Sequence, residues 1–390
     1  MRLVYLSPVP WNSFAQRPHK FVRWFHERTG EPVLWIEPYP TRFPKLQDVK
    51  RLQAPSEQKI LIDTPDWLQV VKAGALPIEP LPGSAVLNRV LWKPVFNAFD
   101  QFSRGGKTCL TVGKPSLLAL SLLQRGGHSV SLYDAMDDFP AFYEGLSRVA
   151  FARRERLIAR HVDMIWASSS ALRNRWAKHH ANVRLVLNGL DLAAMPEPPE
   201  TRHATLHPVQ TGAQPTGDEQ GKVFGYVGTI ASWFDWDWVI TLAESRPRDE
   251  IRLIGPVFEP AARKLPDNIR LLPEREHEAA LAAMLDFDVA LIPFKQNKLT
   301  GSVDPIKYYE YRALALPILS TDFGEMSFRA DEPGVFITGS HASTQSLAEQ
   351  ALHFHRDRSQ AIAFARENAW EQRFDSARAF PPFPQVPVSS

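Results

Sequence analysis

Short apolar runs rich in Val, Ile and Leu alternate with longer amphipathic segments along most of this 390-residue chain. In the first half the runs are RLVYLS (2–7), PVLWIE (32–37), KTCLTVG (107–113), SVSLYD (129–134), MIWASS (164–169) and VRLVLN (183–188). Helical patterns such as RPHKFVRWFHERTG, PSLLALSLLQRGG and ALRNRWAKHH fall between them. A strand apolar on both faces needs cover on both, and interleaved helices supply it, so the pattern predicts parallel, doubly wound α/β sheets. The alternation breaks at residues 196–221, PEPPETRHATLHPVQTGAQPTGDEQG, which have no apolar periodicity. It restarts with KVFGYVGTI, EIRLIGP, NIRLLPE, DVALIPF, LPILST and GVFITG. The chain is also too long for one ordinary core. The expected organisation is a Rossmann-like domain over 1–190, a linker or exposed loop over 191–222, and a second Rossmann-like domain over 223–355. A C-terminal helix and tail over 356–390 is expected to pack back on the first domain, and the two sheet domains to face each other across a cleft.

Composition narrows the function classes. A formal net charge of +2 gives no global pull toward nucleic acid. A single cysteine, Cys109, excludes an internal disulfide framework and makes no zinc site by itself, which predicts a reducing, cytoplasmic setting. MRLVYLSPVPWNSFAQRPHK has no signal-peptide apolar core, and no run approaches the ~18 uncharged apolar residues of a spanning helix.

The stretch TGSVDPIKYYEYRALALPILST (300–321) carries the first candidate site. Asp304 and Pro305 read as N-cap and first helical residue. Lys307 then falls in the first turn, where the helix dipole disfavours a cation by ~0.3–1 kcal/mol. An anion beside that helix end removes the conflict, because backbone N–H groups, dipole and ammonium then point at one phosphate. Glu310, one turn deeper on the same face, suits sugar hydroxyls. A nucleoside diphosphate offers both a diphosphate and a ribose diol; the bland alternative is a solvated Lys–Glu pair worth a few tenths of a kcal/mol. Gly228 and Thr229, at the end of KVFGYVGTI, allow a ligand close to the backbone. No G-x-G-x-x-G follows any strand, which argues against a dehydrogenase. Asp134, Asp137 and Asp138 stand at the end of SVSLYD, where ligands of doubly wound sheets bind. The structural alternative is that Asp138 caps a helix and Asp134 satisfies loop amides. Asp235-Trp236-Asp237 has the form of a metal-binding pair, but its position opening an amphipathic helix predicts capping.

DVALIPFKQNKLTGSVDPIKYYEYRALALPILST resembles the donor-binding segment of GT-B glycosyltransferases, particularly family-4-type enzymes and bacterial exopolysaccharide glucuronosyltransferases. Pro293 and Phe294 match the Pro–aromatic pair that ends a strand there, and Ala315, Leu316 and Pro317 the close of the helix. VLNGLD (186–191) resembles a signature ending the first domain of family-4-type enzymes, and WNSFAQRPHKF a first-loop motif of polysaccharide-assembly relatives. The detailed likeness covers roughly residues 223–325. It implies a nucleotide-sugar donor, most simply a UDP-sugar, with Glu310 on the ribose, Lys307 on the diphosphate and the Gly228–Thr229 loop beside the phosphates. Where many family-4 enzymes carry a second glutamate, this chain has Ser302, which fits better with the glucuronosyltransferase-like relatives, as they have the Lys but not the glutamate pair.

The inverting relatives imply Asp137 as general base. Arg17, His19, Asp134 and Asp138 are then candidates for binding a saccharide or polyprenyl-linked saccharide acceptor. No cofactor and no metal are expected. NRVLWKPVFNAFDQFSRGGK (88–107) and RVAFARRERLIARHVD (148–163) mix cations with large apolar residues, which suits a peripheral contact with an anionic membrane or, more plainly, surface helices packed on the core. The reading is a glycosyltransferase of cell-surface polysaccharide assembly. The alternatives are a catalytically silent nucleotide- or polysaccharide-binding assembly factor and a sugar-nucleotide epimerase of the same fold.

Overall fold

The computed structural model describes residues 1–41, 64–76, 79, 83–199, 221–339 and 343–377. The chain forms two compact units, one of Met1–Leu187 joined by the chain from Arg373, the other of Asn188–Gln372. Much of the expected linker, residues 200–220, and the tail from residue 378 lie outside the described residues.

Unit 1 is built on a sheet of β1 (Arg2–Leu6), β2 (Val33–Ile36), β3 (Leu68–Val71), β4 (Thr108–Val112), β5 (Val130–Ala135), β6 (Met164–Ala167) and β7 (Val183–Leu185). The spatial order is β3-β2-β1-β4-β5-β6-β7, with every pairing parallel. Around it lie α1 (Arg17–Thr29), α2 (Ser84–Leu91), α3 (Lys93–Arg104), α4 (Leu117–Arg125), α5 (Gly145–Ala159) and α6 (Ser170–Ala177). Strands β1, β2, β4, β5 and β6 are almost wholly buried, as cover on both faces requires. β3 was not evident as an apolar run, because it is an edge strand with only Leu68 buried.

Unit 2 repeats the plan with β8 (Val223–Val227), β9 (Glu250–Ile254), β10 (Ile269–Leu272), β11 (Val289–Ile292), β12 (Ile318–Thr321) and β13 (Val335–Thr338). Their order is β10-β9-β8-β11-β12-β13, again all parallel. Its helices are α7 (Trp236–Ser245), α8 (His277–Met284), α9 (Ile306–Ala313), α10 (Thr344–Leu352) and α11 (Arg358–Glu367). A final helix, α12 (Trp370–Ser376), carries the chain back into unit 1. There Phe374 stacks on Trp166 at 5.9 Å and Trp24 donates its indole N–H to Asp375 at 2.8 Å.

Both sheets follow the doubly wound order in which the first and fourth strands are neighbours and the chain runs outward in opposite directions from them. The crevice beyond their carboxyl ends is the ligand-binding position of such sheets. It lies past β1 and β4 in unit 1, and past β8 and β11 in unit 2.

α9 ends in a Schellman turn: Leu316 donates its N–H to Tyr311 and Ala315 to Arg312. The residue turning left-handed is Ala315, with φ 55°, rather than the usual glycine. A β-carbon there costs ~1–2 kcal/mol. Ala315→Gly should therefore stabilise unit 2 by about 1 kcal/mol, read as a higher urea midpoint with an unchanged slope.

Candidate functional site

The crevice of unit 2 begins at Gly228, the residue after β8. That residue has φ 150°, and a β-carbon on it would come within 2.8 Å of the Tyr226 hydroxyl. The Tyr226 hydroxyl in turn donates to the Thr229 carbonyl at 3.0 Å, which fixes the turn. Across the switch point, the Tyr311 hydroxyl of α9 accepts the backbone N–H of Val227 at 3.1 Å. This bond ties the last residue of β8 to the helix that follows β11. Lys307 lies one turn before Tyr311 on the same helical face.

Lys307 and Glu310 meet in an ion pair, Nζ to Oε2 at 2.7 Å, with the glutamate buried and the lysine half-buried. The pairing offsets the unfavourable placement of a cation in the first turn. Among the described residues, the backbone N–H groups of Ile306 and Lys307 make no hydrogen bond. One corner thus presents two amides, an ammonium and a carboxylate, a set that can bind an anion and a diol. Ser302 is buried in the short helical turn Thr300–Ser302 that leads into α9.

Asp304 does not cap α9. The helix starts at Ile306 with Pro305 in the cap position, and the Asp304 carboxylate is used elsewhere. It accepts the Asn188 N–H at 2.7 Å, the Tyr309 hydroxyl at 2.9 Å and an Arg329 N–H at 2.6 Å. The Asn188 side chain donates to the Asp304 carbonyl at 2.7 Å, and Arg329 also sits 3.6 Å from the Tyr308 ring centre. Asn188, Tyr309, Tyr311 and Arg329 therefore hold the candidate helix in place. Their only sequence signals were the aromatic run YYEY and the NG of VLNGLD. A β-carbon at Gly189 would press to 2.8 Å from the Asn368 carbonyl, and Leu190 pairs with Ala369 and Trp370, which accounts for the small residue. Asp235 caps α7 by accepting the Trp238 N–H at 3.0 Å.

In unit 1, β5 delivers the three aspartates to the end of the sheet, and each meets a different environment. Asp134 is fully buried. Arg17 holds both its oxygens, at 2.9–3.2 Å, and Tyr5 donates at 3.2 Å. Arg17 also donates to the Val186 carbonyl at 2.8 Å. Asp138 is paired with Arg175 of α6 at 2.7 Å, and the Ser168 hydroxyl grips the Met136 carbonyl at 2.7 Å. The residues on either side of Asp137 are thereby pinned, and Asp137 itself has no hydrogen-bond or ion-pair partner among the described residues. Burial pushes its carboxyl up to about 7; Arg17 opposes that shift, while Asp134 and Asp138 add to it. A half-buried carboxyl balanced near neutrality is suited to accepting a proton.

His19 is buried between Trp11 and Trp35. Its Nδ1 accepts the Gln16 N–H at 3.1 Å and its Nε2 lies 3.1 Å from the Trp11 carbonyl, the pattern of a neutral ring. Burial lowers its pKa to about 4. Arg17, His19 and Asp134 thus face inward, where they hold the first loop against the sheet.

The helix after β4 is finished differently from the helix after β11. At the start of α4, Leu117 donates its N–H to the buried carboxylate of Glu79, Leu118 donates to the Tyr39 hydroxyl at 3.2 Å, and Ala119 donates to Ser116 at 3.1 Å. Arg154 of α5 balances Glu79 at 3.2 Å.

Among the described residues there is no cluster of three His, Cys, Asp or Glu side chains able to hold a metal ion, and no helix long and apolar enough to cross a membrane.

Two Rossmann-ordered parallel sheets with flanking helices define the two-domain α/β fold of the GT-B class. Solved structures bear this out. The Anabaena protein Alr3699/HepE in complex with UDP aligns over 96% of this chain and 98% of its own, with 12% identity and a TM-score of 0.61. Its complex with UDP-glucose aligns over 97% and 98%, at 13% identity and the same TM-score. Sucrose-phosphate synthase of Thermosynechococcus elongatus aligns over 97% and 95%, at 14% identity and a TM-score of 0.59. No protein-family model matches the chain, and no curated protein matches it in sequence.

Proposed function

We propose that this protein is a glycosyltransferase that moves a sugar from a nucleotide-sugar donor, a UDP-sugar, to a saccharide or polyprenyl-linked saccharide in cell-surface polysaccharide synthesis. The observation that carries this reading is the start of α9 in unit 2, where the unbonded amides of Ile306 and Lys307 adjoin the Lys307–Glu310 pair on a helix that Tyr311 ties to the end of β8. The UDP and UDP-glucose bound by HepE, a protein of the same fold, support the choice of donor.

In this reading Glu310 turns from Lys307 to the ribose hydroxyls, and Lys307 with the amides of Ile306 and Lys307 meets the diphosphate. Asp137 takes the proton of the acceptor hydroxyl as its oxygen attacks the anomeric carbon. The carbon–phosphate oxygen bond breaks and UDP leaves, its growing charge offset by Lys307 without a metal. Ser302 lies on the approach to α9, beside the donor sugar.

Thermal unfolding with UDP, GDP, ADP, CDP and NAD, each with EDTA and with magnesium, tests the donor site. A nucleotide at 100 times its dissociation constant stabilises by ~2.7 kcal/mol. UDP should do so in EDTA, and the paired variant Lys307→Met with Glu310→Gln, which keeps the site neutral, should lose the response. Failure of every nucleotide would sink the donor site. A UDP response without transfer to any acceptor would favour the silent binding protein, and turnover of the donor alone the epimerase.

A further inference from the structure

The surface of unit 1 contains a helix that is polar inside and apolar outside. In α2, Ser84 and Asn88 face inward: Ser84 donates to the Glu79 carbonyl at 3.2 Å, and Asn88 accepts the Leu76 N–H at 2.8 Å. Its outer face carries Val86, Leu87, Val90 and Leu91, of which the first three are 69%, 59% and 64% exposed. A surface helix in water has the reverse pattern. The next helix, α3, behaves ordinarily and turns Val95, Phe99 and Phe102 into the core. Most of residues 88–107 thus form a helix packed on the core, and the exposed apolar face lies on the helix that precedes it.

α5 is linked to it through Glu79, whose carbonyl accepts from both Ser84 and, at 3.3 Å, Arg154. The first turns of α5 expose Leu146 and Val149, at 77% and 65%. The same helical stripe continues as Arg153, Arg156 and the following Arg160, all exposed. Arg89 and Lys93 flank the apolar face of α2 and are also exposed. No exposed acid interrupts either stretch: residues 84–99 contain none, and in 145–160 the single acid, Glu155, is buried. In a chain of nearly balanced charge, that is a local excess of cations around exposed aliphatic side chains.

We propose that the outer face of α2, together with the exposed stripe of α5, seats unit 1 on an anionic lipid bilayer. The aliphatic side chains enter the acyl boundary and the arginines and lysine lie at the headgroups, the division seen in interfacial helices. A soluble protein partner fits less well, because Arg89, Lys93, Arg153, Arg156 and Arg160 outnumber the one exposed acid at the edge, Glu144, and that excess complements a uniform anionic surface. The proposal gives a location to a lipid-linked acceptor and rests on the glycosyltransferase reading for its purpose.

The test is co-sedimentation of the full chain with phosphatidylcholine vesicles and with vesicles also containing phosphatidylglycerol, at low and high salt. The wild type should sediment only with the anionic vesicles and be released as salt rises. Removing two charges, Arg153→Gln with Arg156→Gln, should weaken partitioning about 25-fold, at roughly fivefold per charge. Leu87→Asp with Val90→Asp should weaken it by at least 10-fold. All variants should keep the wild-type thermal midpoint and the UDP response, so failure here is separable from failure of the donor site. Equal binding to neutral vesicles, or none to either, overturns the proposal. So does a wild-type dimer that Leu87→Asp with Val90→Asp converts to monomer, or a marked loss of thermal stability in that variant, which would show the face covered by a second copy or by the chain itself.

Discussion

Asp137→Asn should reduce sugar transfer by about 10²- to 10⁴-fold, the range for removing a general base, while leaving the UDP-induced thermal shift at its wild-type size. The expectation comes from the contrast among the three aspartates at the end of β5. Asp134 and Asp138 are neutralised by arginines, whereas Asp137 is held by its neighbours but has no partner among the described residues. Its carboxyl, raised to about 7 by burial, gives the reaction a pH signature: kcat/KM for transfer should rise through about pH 7 and level off. Stability of the free chain should run the other way. The folded carboxyl titrates above its unfolded value, so its stabilising contribution is full at low pH and is lost as pH rises through about 7. Asn resembles the protonated form, so above pH 7 the variant should be at least as stable as the wild type. Glu155, also pushed up to about 7 by burial, shares in the stability trend but not in the activity profile. A variant with full activity would remove Asp137 from the mechanism. An inactive variant that had also lost the UDP shift would have lost its fold.

The second large effect is expected at Arg17. Arg17→Met should destabilise unit 1 by about 3–5 kcal/mol, because it strands the fully buried carboxylate of Asp134 with only the Tyr5 hydroxyl for support. Combining it with Asp134→Leu should restore most of that loss, since an apolar pair of similar size needs no desolvation. Urea unfolding of the two variants decides the matter. If Arg17→Met is as stable as wild type but raises the KM for acceptor, Arg17 reaches substrate. If stability falls and the double variant recovers it, Arg17 is a beam of the first loop.

Both sheets were legible because their central strands are apolar on both faces, a pattern that survives without knowledge of any contact. β3 escaped notice for the opposite reason, having one buried residue in four. Asp235 could be read as a cap because capping is local. Asp304 could not be assigned from the same local rule, because Asn188 and Arg329, distant in sequence, compete for its carboxylate. Arg17 and Asp134 are polar residue types most often found at the surface, and only the fold reveals that they neutralise each other inside. The Lys307–Glu310 contact follows directly from helical spacing. The bond from Val227 to Tyr311 that ties this helix to the end of β8 does not, since it depends on which strand neighbours β8. The outward face of α2 was hidden by its shortness: in eight residues, an apolar side can be assigned outward only once the inward contacts of Ser84 and Asn88 are known.

The helices after β4 and β11 occupy the same place in two sheets of the same order, yet their N-terminal ends are treated oppositely. In unit 1 the chain spends one of its own carboxylates, Glu79, on the amide at the start of α4 and fixes that carboxylate with Arg154. In unit 2 the start of α9 keeps unbonded amides and a cation. The first end is closed by an internal carboxylate, while at the second Glu310 holds the Lys307 ammonium and leaves the amides of Ile306 and Lys307 unbonded. On the proposed reading, a single fold used twice in one polypeptide has one nucleotide site, because the first half fills the equivalent helix end with a carboxylate of its own.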